Sequence, residues 1–351
     1  MNSLTSQFLD NINIDSKLAA NLRLLGEYKG RQFLYQKQSP ESLDTLRKLA
    51  IIESAESSNR IEGIYVKRDR IKAIIDRNTS PVGRSEQEVT GYRDALALIH
   101  EKWQDLPFNI HVIKQLHTMM YRYIPGEHGG DWKRTQNEII ERYPDGTERI
   151  RFKPVSVSST PGFMKGLVEG YRTSINEGRD PLLIIPLTIL DFLCIHTFLD
   201  GNGRMARLLT LHLLYKAGYE VGRYISLERI FEDTKESYYD TLERSSSGWH
   251  EGEHDVMPWL TYFWGVLIRS FRDFEERVGV VTTGRGAKTE QIELAVKRKL
   301  GPFSISDIEN ECPGISRDMI RRILRRMRDE GLIRSTGTGR GAKWIKMNEW
   351  I

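Results

Sequence analysis

From Ser42 onward, apolar residues recur at helical spacing through Leu43, Leu46, Leu49, Ile51 and Ile52, and lead into the polar run Ser54-Ala55-Glu56-Ser57-Ser58-Asn59-Arg60-Ile61-Glu62-Gly63. The spacing predicts a helix over about 42–63, closed by Gly63 and carrying Ser58 and Glu62 on one face. Residues 1–40 are polar with scattered apolar positions, and Ser39-Pro40 breaks the chain. Beyond residue 63 the helical period returns over Glu86 to Trp103 and Asn109 to Tyr123, and Gly126 to Lys133 reads as a loop. Two alternating segments, Thr135 to Arg142 and Glu148 to Lys153, flank Tyr143-Pro144-Asp145-Gly146-Thr147, a β-hairpin signal. A helix over Pro161 to Asn176 precedes a run of apolar residues, Leu182 to Ile195, opened by Pro181. A polar dozen follows, and then Leu208 to Gly218 resumes helical spacing with Gly218 as its stop.

Tyr224 to Phe231 and Lys235 to Ser245 continue the domain, Val256 to Val278 reads as a long aromatic-rich helix, and Thr282-Thr283-Gly284-Arg285-Gly286 reads as a linker. Beyond it, Thr289 opens a helix to Leu300, Ser304-x-x-Asp307 resembles a capping box for a helix to Glu311, and Pro313-Gly314 makes a turn. A helix from Ser316 to Glu330 is followed by a hairpin made of Leu332-Ile333-Arg334, the Gly337 to Gly341 tip and Lys343-Trp344-Ile345. The fold expected is mostly α, with two hairpins.

A chain of 351 residues holds two or three domains. Its composition, 39% hydrophobic and 28% charged, is that of an ordinary water-soluble protein. Met1 to Asp15 lacks a basic stretch followed by an apolar one, and Leu182 to Ile195 is too short to span a bilayer and contains Asp191. The two cysteines, Cys194 and Cys312, lie far apart without metal-ligand spacing. The location expected is therefore cytoplasmic, with no membrane partner. Charge is uneven: residues 285–351 carry 15 Lys/Arg against 9 Asp/Glu, while the rest of the chain is close to neutral.

The polar dozen is His196-Thr197-Phe198-Leu199-Asp200-Gly201-Asn202-Gly203-Arg204-Met205-Ala206-Arg207. Between two apolar helices it forms a loop in which the second helix begins. Gly201 and Gly203 let the backbone come close to a ligand, and the N–H groups at the start of the helix favour an anion. Arg204 and Arg207, one turn apart, are spaced to clamp successive phosphates. Asp200 offers a hard oxygen suited to Mg²⁺, and His196 is placed to take a proton near neutral pH. Taken singly, each is compatible with a solvated interhelical loop; together they point to transfer of a phosphate-containing group.

This dozen resembles the active-site motif of Fic-domain proteins, His-Pro-Phe-x-(Asp/Glu)-Gly-Asn-Gly-Arg-x-x-Arg, at every fixed position except the second, where Thr197 replaces proline. The resemblance implies protein AMPylation, in which AMP moves from ATP to a Ser, Thr or Tyr hydroxyl of a target protein. It assigns His196 as base, Asp200 as Mg²⁺ ligand, and Gly201 to Arg207, Met205 and Ala206 included, as the nucleotide-binding segment. Within that segment Asn202 and Gly203 would hold the α- and β-phosphates, and Arg204 and Arg207 the β/γ end. Both glycines are kept, unlike the phosphorylating relatives with Ala-Asn-Lys-Arg, which argues for adenylyl transfer. Ser58-x-x-x-Glu62-Gly63 is similar to the family's inhibitory motif, so Glu62 is expected to pair with Arg207 when no γ-phosphate is present.

The resemblance also makes the hairpin over 135–153 the flap that aligns a target segment by strand addition; on its own pattern it is equally a small stabilising hairpin. Tyr238 and Tyr239 are candidates for an adenine wall, or for core. The domains expected are an N-terminal helical region over 1–100 containing the inhibitory helix, a catalytic domain over 101–280, and residues 285–351, which look like a winged helix-turn-helix. There Arg317, Arg321, Arg322, Arg325, Arg326 and Arg328 populate the third helix, with Arg340 and Lys343 on the wing. Such a module binds DNA through its phosphates and major groove, or contacts protein. The competing function is thus a DNA-binding regulator that uses the Fic fold as a nucleotide sensor. A homodimer is left open.

Overall fold

The computed structural model describes residues 3–38, 40–76, 79–127, 129–142, 146–282, 287–297, 299, 301–312, 315–336 and 343–347. Most of the expected turn at Tyr143-Pro144-Asp145, most of the linker, Pro313-Gly314 and the hairpin tip with Arg340 lie outside the described residues. The chain divides into two units, residues 1–30 with 50–271, and residues 31–49 with 272–351.

Helices dominate the first unit. Two near the N-terminus, α1 (Ser6–Asp10) and α2 (Ser16–Gln38), were not legible. The apolar positions of α2 are sparse, and Gly26 and Gly30 weigh against a helix. Yet Leu18, Leu22, Leu25 and Tyr28 fall on one side, with Leu25 and Tyr28 buried, and Asp15 Oδ1 accepts the Leu18 N–H at 2.8 Å as a cap. α3 (Pro40–Ile61) starts before the expected Ser42, and α4 (Arg68–Ile75), α5 (Gly83–Lys102) and α6 (Ile110–Tyr121) follow. α5 and α6 approach closely because Gly91 lacks a side chain: a Cβ there would lie 2.1 Å from the Met120 carbonyl oxygen.

At the centre of this unit, α7 (Thr160–Asn176), α8 (Pro181–Ile195) and α9 (Asn202–Lys216) pack in sequence. α8 is buried nearly all round. Its start is fixed by Pro181 at the first turn and by Asp180, whose Oδ1 accepts the Leu182 N–H at 2.8 Å. Pro186 then removes one donor from the middle of the helix, leaving the Leu182 carbonyl without its usual partner. Trp264 fills the gap, its indole N–H donating to Leu182 O at 2.9 Å, while Trp259 donates to Pro186 O at 2.8 Å. Both tryptophans belong to α12 (Met257–Thr282), which with α10 (Leu227–Asp233) and α11 (Lys235–Ser246) completes the unit. Between α9 and α10 lies a 3-10 turn, Val221–Arg223, and α10 begins after the Ser226 cap.

The first hairpin is shorter than the alternating pattern suggested. β1 (Ile139–Arg142) pairs antiparallel with β2 (Glu148–Phe152), Ile140 opposite Ile150, with an irregularity between Ile139 and Ile140. Arg149 and Arg151 both pair with Glu243 of α11 and fasten β2 to the helical body.

In the second unit, α13 (Ala287–Lys297), α14 (Ile305–Glu311), α15 (Arg317–Asp329) and the hairpin β3 (Ile333–Thr336) and β4 (Lys343–Lys346) follow the expected order. Ser304 and Asp307 form the anticipated capping box. The core gathers Ile292, Val296, Phe303, Ile308, Ile320, Leu324, Met327 and Trp344. On α15 the buried positions are Ile320, Ile323, Leu324 and Met327, one clean stripe that turns every arginine outward. Among the described residues no helix is long and apolar enough to cross a membrane.

Trp264→Phe should strand the Leu182 carbonyl and cost about 1–3 kcal/mol, read as a lower urea midpoint. Adding Pro186→Ala restores a backbone donor four residues on and should recover part of that loss. Additive effects in the double variant would show that the indole is not replacing the missing rung.

Candidate active site

α8 ends at His196, which adopts φ 50° and ψ 60° and is the one non-glycine residue with positive φ among the described residues. That conformation is uncommon for a histidine and persists only where neighbours over-determine it. They do so here. The Lys133 ammonium donates to Ile195 O at 3.1 Å, and the Lys133 N–H donates to Thr197 O at 2.9 Å. Asn202 grips Phe198 twice, its Oδ1 accepting the N–H at 2.9 Å and its Nδ2 donating to the carbonyl at 2.8 Å. Asn137 Nδ2 donates to the same carbonyl at 3.1 Å.

His196 Nδ1 lies 3.3 Å from Leu193 O. A carbonyl only accepts, so Nδ1 carries the proton and Nε2 keeps its lone pair. Burial lowers this imidazole to a pKa of about 4; the Lys133 charge adds to the shift, and Glu62 and Asp200 oppose it. The ring is therefore neutral and able to accept a proton over the physiological range.

Four residues on, Asp200 is exposed, and Gly201 at φ 78° sets the N-terminus of α9. Asp200 Oδ1 accepts the Gly201 N–H at 2.7 Å, and Oδ2 accepts the Tyr121 hydroxyl at 2.8 Å. Partial burial works against ionisation, but Arg204, the Tyr121 hydroxyl and the Gly201 N–H outweigh it and hold this carboxyl below the usual range. His117 supports the loop from beneath. Its Nδ1 accepts the Gly130 N–H at 2.8 Å, which leaves Nε2–H to donate to Asp200 O at 3.1 Å, and its ring stacks on Phe198 at 3.6 Å.

The two arginines of the expected clamp diverge. Arg204 is 2% exposed and donates to Glu88 Oε2 of α5 at 2.6 Å, to Tyr121 Oη at 3.1 Å and to Asp200 Oδ2 at 3.3 Å. Spacing along α9 gave no warning that Glu88 would hold it. Arg207, equally buried, turns to the end of α3. Its Nε donates to Ser58 Oγ at 2.8 Å, and its Nη2 to Ser58 O at 2.9 Å and Glu62 Oε1 at 2.6 Å. Its Nη1 has no hydrogen-bond partner among the described residues. The Glu62 carboxylate lies directly over the first turn of α9: a Cβ on Gly203 would be 2.3 Å from Glu62 Oε1 and 3.3 Å from Arg207 Nη1. Glu62 itself sits one residue beyond α3, in the turn that Gly63 closes at φ 80°.

The remaining nucleotide-segment candidates divide. Met205 and Ala206 send their side chains into the core, and the Met205 N–H is spent on Gly201 O at 2.9 Å. The Asn202 side chain is committed to Phe198, which leaves the backbone N–H groups of Asn202, Gly203 and Arg204 in the first turn of α9. Tyr238 is buried against Phe231, Trp259 and Tyr262, close enough to Arg207 and Glu62 to feel both charges. Tyr239 beside it is half-buried and stacks with Arg151 of the hairpin.

Sequence reasoning missed Glu88, Tyr121, Lys133, Asn137 and His117, all brought in by tertiary packing, and also a network behind Arg207. There the Glu228 carboxylate, 0% exposed, accepts from Ser54 Oγ at 2.8 Å and Tyr92 Oη at 3.1 Å, and burial pushes its pKa up. In the second unit, Arg317 pairs with Glu309, Arg321 with Asp318, and Arg328 with Asp329. Arg326 pairs with Glu293. Arg322 and Arg325 are exposed with no ion-pair partner among the described residues, and Lys343 is exposed on β4.

The buried histidines give a pH signature. Burial lowers His117, His196, His212 and His254 from 6.5 to about 4. Between those values the unfolded chain binds more protons, so stability should fall as pH drops through that window. Asp191, raised by burial from 3.8 to about 6, and Glu228, also raised, work in the opposite sense but are fewer. Urea midpoints at pH 7 and pH 5 should show the loss; an equal or higher midpoint at pH 5 would contradict it.

Residues 107–214 match the model of the Fic/DOC family. The chain is 24% identical over 229 residues to a protein described as protein adenylyltransferase Fic from Drosophila grimshawi, covering 63% of this chain and 42% of that protein. It is 24% identical over 233 residues to the protein of the same description from Drosophila willistoni, covering 64% and 42%. The chain thus spans about two fifths of the length of these curated relatives. A crystal structure of a Fic family protein from Desulfovibrio desulfuricans superposes with a TM-score of 0.61 at 20% identity, covering 96% of this chain and 98% of that one. A Fic domain containing signaling protein from Bacteroides thetaiotaomicron gives 0.61 at 21% identity, covering 74% and 97%. Residues 107–214 thus resemble the Fic/DOC family, and the chain shares the fold of these Fic-family structures.

Proposed function

We propose that this protein is a protein adenylyltransferase that moves AMP from ATP to a hydroxyl side chain of a target protein, and that Glu62 restrains it. The observation that carries the reading is the Glu62 carboxylate, seated over Gly203 at the N-terminus of α9 and paired with Arg207. A helix N-terminus beside a buried guanidinium is where phosphate oxygens bind well, and Arg207 Nη1 has no hydrogen-bond partner among the described residues.

In this reading the γ-phosphate displaces Glu62 and takes its place on Arg207, and the first N–H groups of α9 hold the phosphates. His196 Nε2 takes the proton of the target hydroxyl. Its oxygen attacks the α-phosphorus, the bond to the bridging oxygen of the β-phosphate breaks, and pyrophosphate leaves. Asp200 is an exposed carboxylate, and no cluster of three metal-ligating side chains occurs among the described residues. That donor set fits Mg²⁺, which is held by one or two carboxylates together with substrate phosphates and would neutralise charge on the departing pyrophosphate. The target segment would lie along the hairpin of 135–153, and the proposed site of action is the cytoplasm.

ATP labelled at the α-phosphate, and separately at the γ-phosphate, tests the reading with cell lysate and Mg²⁺. Label should enter protein from the α position only, rise in Glu62→Gly, and fall by about 10²-fold or more in His196→Ala. Label from the γ position would mean phosphoryl transfer, and unchanged labelling in Glu62→Gly would remove the restraint from the proposal.

A second reading, DNA binding by the C-terminal module, draws support from Arg322 and Arg325, exposed and without ion-pair partners. Gel shifts on genomic fragments at low salt should weaken in Arg322→Ala with Arg325→Ala; no shift by the parent chain would end this reading.

A further inference from the structure

We propose that Lys133, together with Asn137, is a positioning residue for His196: it holds the histidine in its left-handed turn and places a positive charge beside the ring. The inference rests on the adenylyl-transfer reading for its consequence but not for its geometry. Lys133 lies in the loop before β1 and is 3% exposed. It brackets His196 on both sides, its ammonium holding Ile195 O at 3.1 Å and its N–H holding Thr197 O at 2.9 Å. A second ammonium hydrogen bond, 3.0 Å to Asn137 Oδ1, aligns the amide whose Nδ2 holds Phe198 O. Residues 195, 197 and 198 are thus fixed by one lysine and one asparagine, and the residue between them has no freedom to leave its unusual backbone conformation.

A neutral donor would hold these carbonyls equally well, so the use of an ammonium needs a reason. Burying it is costly: desolvation lowers Lys133 to a pKa of about 8, and no carboxylate pairs with it among the described residues. The C-terminal dipole of α8 compensates only in part. The charges felt by His196 are Lys133, Glu62 and Asp200. Lys133 is the cation of the three and opposes protonation of the ring, so the lone pair on Nε2 survives to lower pH beside two carboxylates that would otherwise draw a proton there.

The test uses the full chain carrying Glu62→Gly, so that restraint does not mask the chemistry. It has two readouts: kcat and KM for α-labelled ATP across pH, and the NMR titration of the His196 ring without nucleotide, assigned by its loss in His196→Gln. Lys133→Met should lower kcat by about tenfold or more, with KM for ATP within about twofold. It should also lower the acid dissociation constant of the His196 imidazolium about three- to tenfold, moving the acid limb of the rate profile to higher pH. Lys133→Arg, which keeps the charge, should keep the parental titration. Asn137→Ala should lower kcat and move the His196 ring shifts at neutral pH while leaving its titration midpoint in place.

A parental titration and kcat in Lys133→Met would overturn the proposal. Should that variant fail to fold, Asn137→Ala with parental ring shifts and kcat would do the same. If no enzyme in the series transfers label, the adenylyl-transfer reading falls, and the titration and ring shifts still decide the role of Lys133.

Discussion

Arg207 keeps its charge at any pH the protein meets, yet it is 2% exposed, and burying a guanidinium without an anionic partner is costly. Much of the unusual chemistry of the first unit answers that requirement. The end of α3 is polar on a helix that is otherwise packed: Ser54, Ser57, Ser58 and Asn59 are all buried. Ser58 supplies two acceptors to Arg207, and the buried Glu228 carboxyl, its pKa raised by burial, lies further back. Glu62, by contrast, is nearly a third exposed and stands on a turn rather than inside a helix. Of the anions near Arg207 it is the one that solvent, or another anion, can reach.

Fastenings hold that turn in place. Arg60 pairs with Glu232 at 2.8 Å, Arg229 with Glu53 at 2.8 Å, and Lys235 donates to Ile61 O at 2.9 Å. Each is partly exposed and worth little alone, but together they fasten the second half of α3 from Glu53 to Ile61. His196 and the start of α9 are coupled in the same manner, through one short loop. Asn202 begins α9 and also grips Phe198, two residues from His196, so the first N–H groups of α9 and the His196 imidazole cannot drift apart independently.

The helical segments with dense apolar periodicity were legible, as were the hairpins, the capping box of α14 and the place of the loop from His196 to Arg207 between two buried helices. The pairing of Glu62 with Arg207 was reached only because the resemblance drew attention to a segment whose own pattern says capped surface helix. What escaped has a common physical origin. α2 hides its face because few apolar side chains mark it, and two glycines lower its propensity. Glu88 and Tyr121 stand 116 and 83 positions from Arg204, and no local pattern announces such partners. Lys133 looked like the end of a polar loop. A lysine in a glycine-containing stretch is normally solvated, and its burial depends entirely on the carbonyls that α8 leaves open at its C-terminus.

The missing rung at Pro186 has a consequence for how the molecule breathes. Helix α8 is closed at that point by side chains of α12, roughly eighty residues away in sequence. Its hydrogen-bond ladder cannot open there without releasing an indole, and α12 cannot lift away without exposing a bare carbonyl in an apolar interior. The two helices therefore share one opening event. Around Pro186 the amides of α8 are thus expected to exchange together with those of α12 near Trp259 and Trp264.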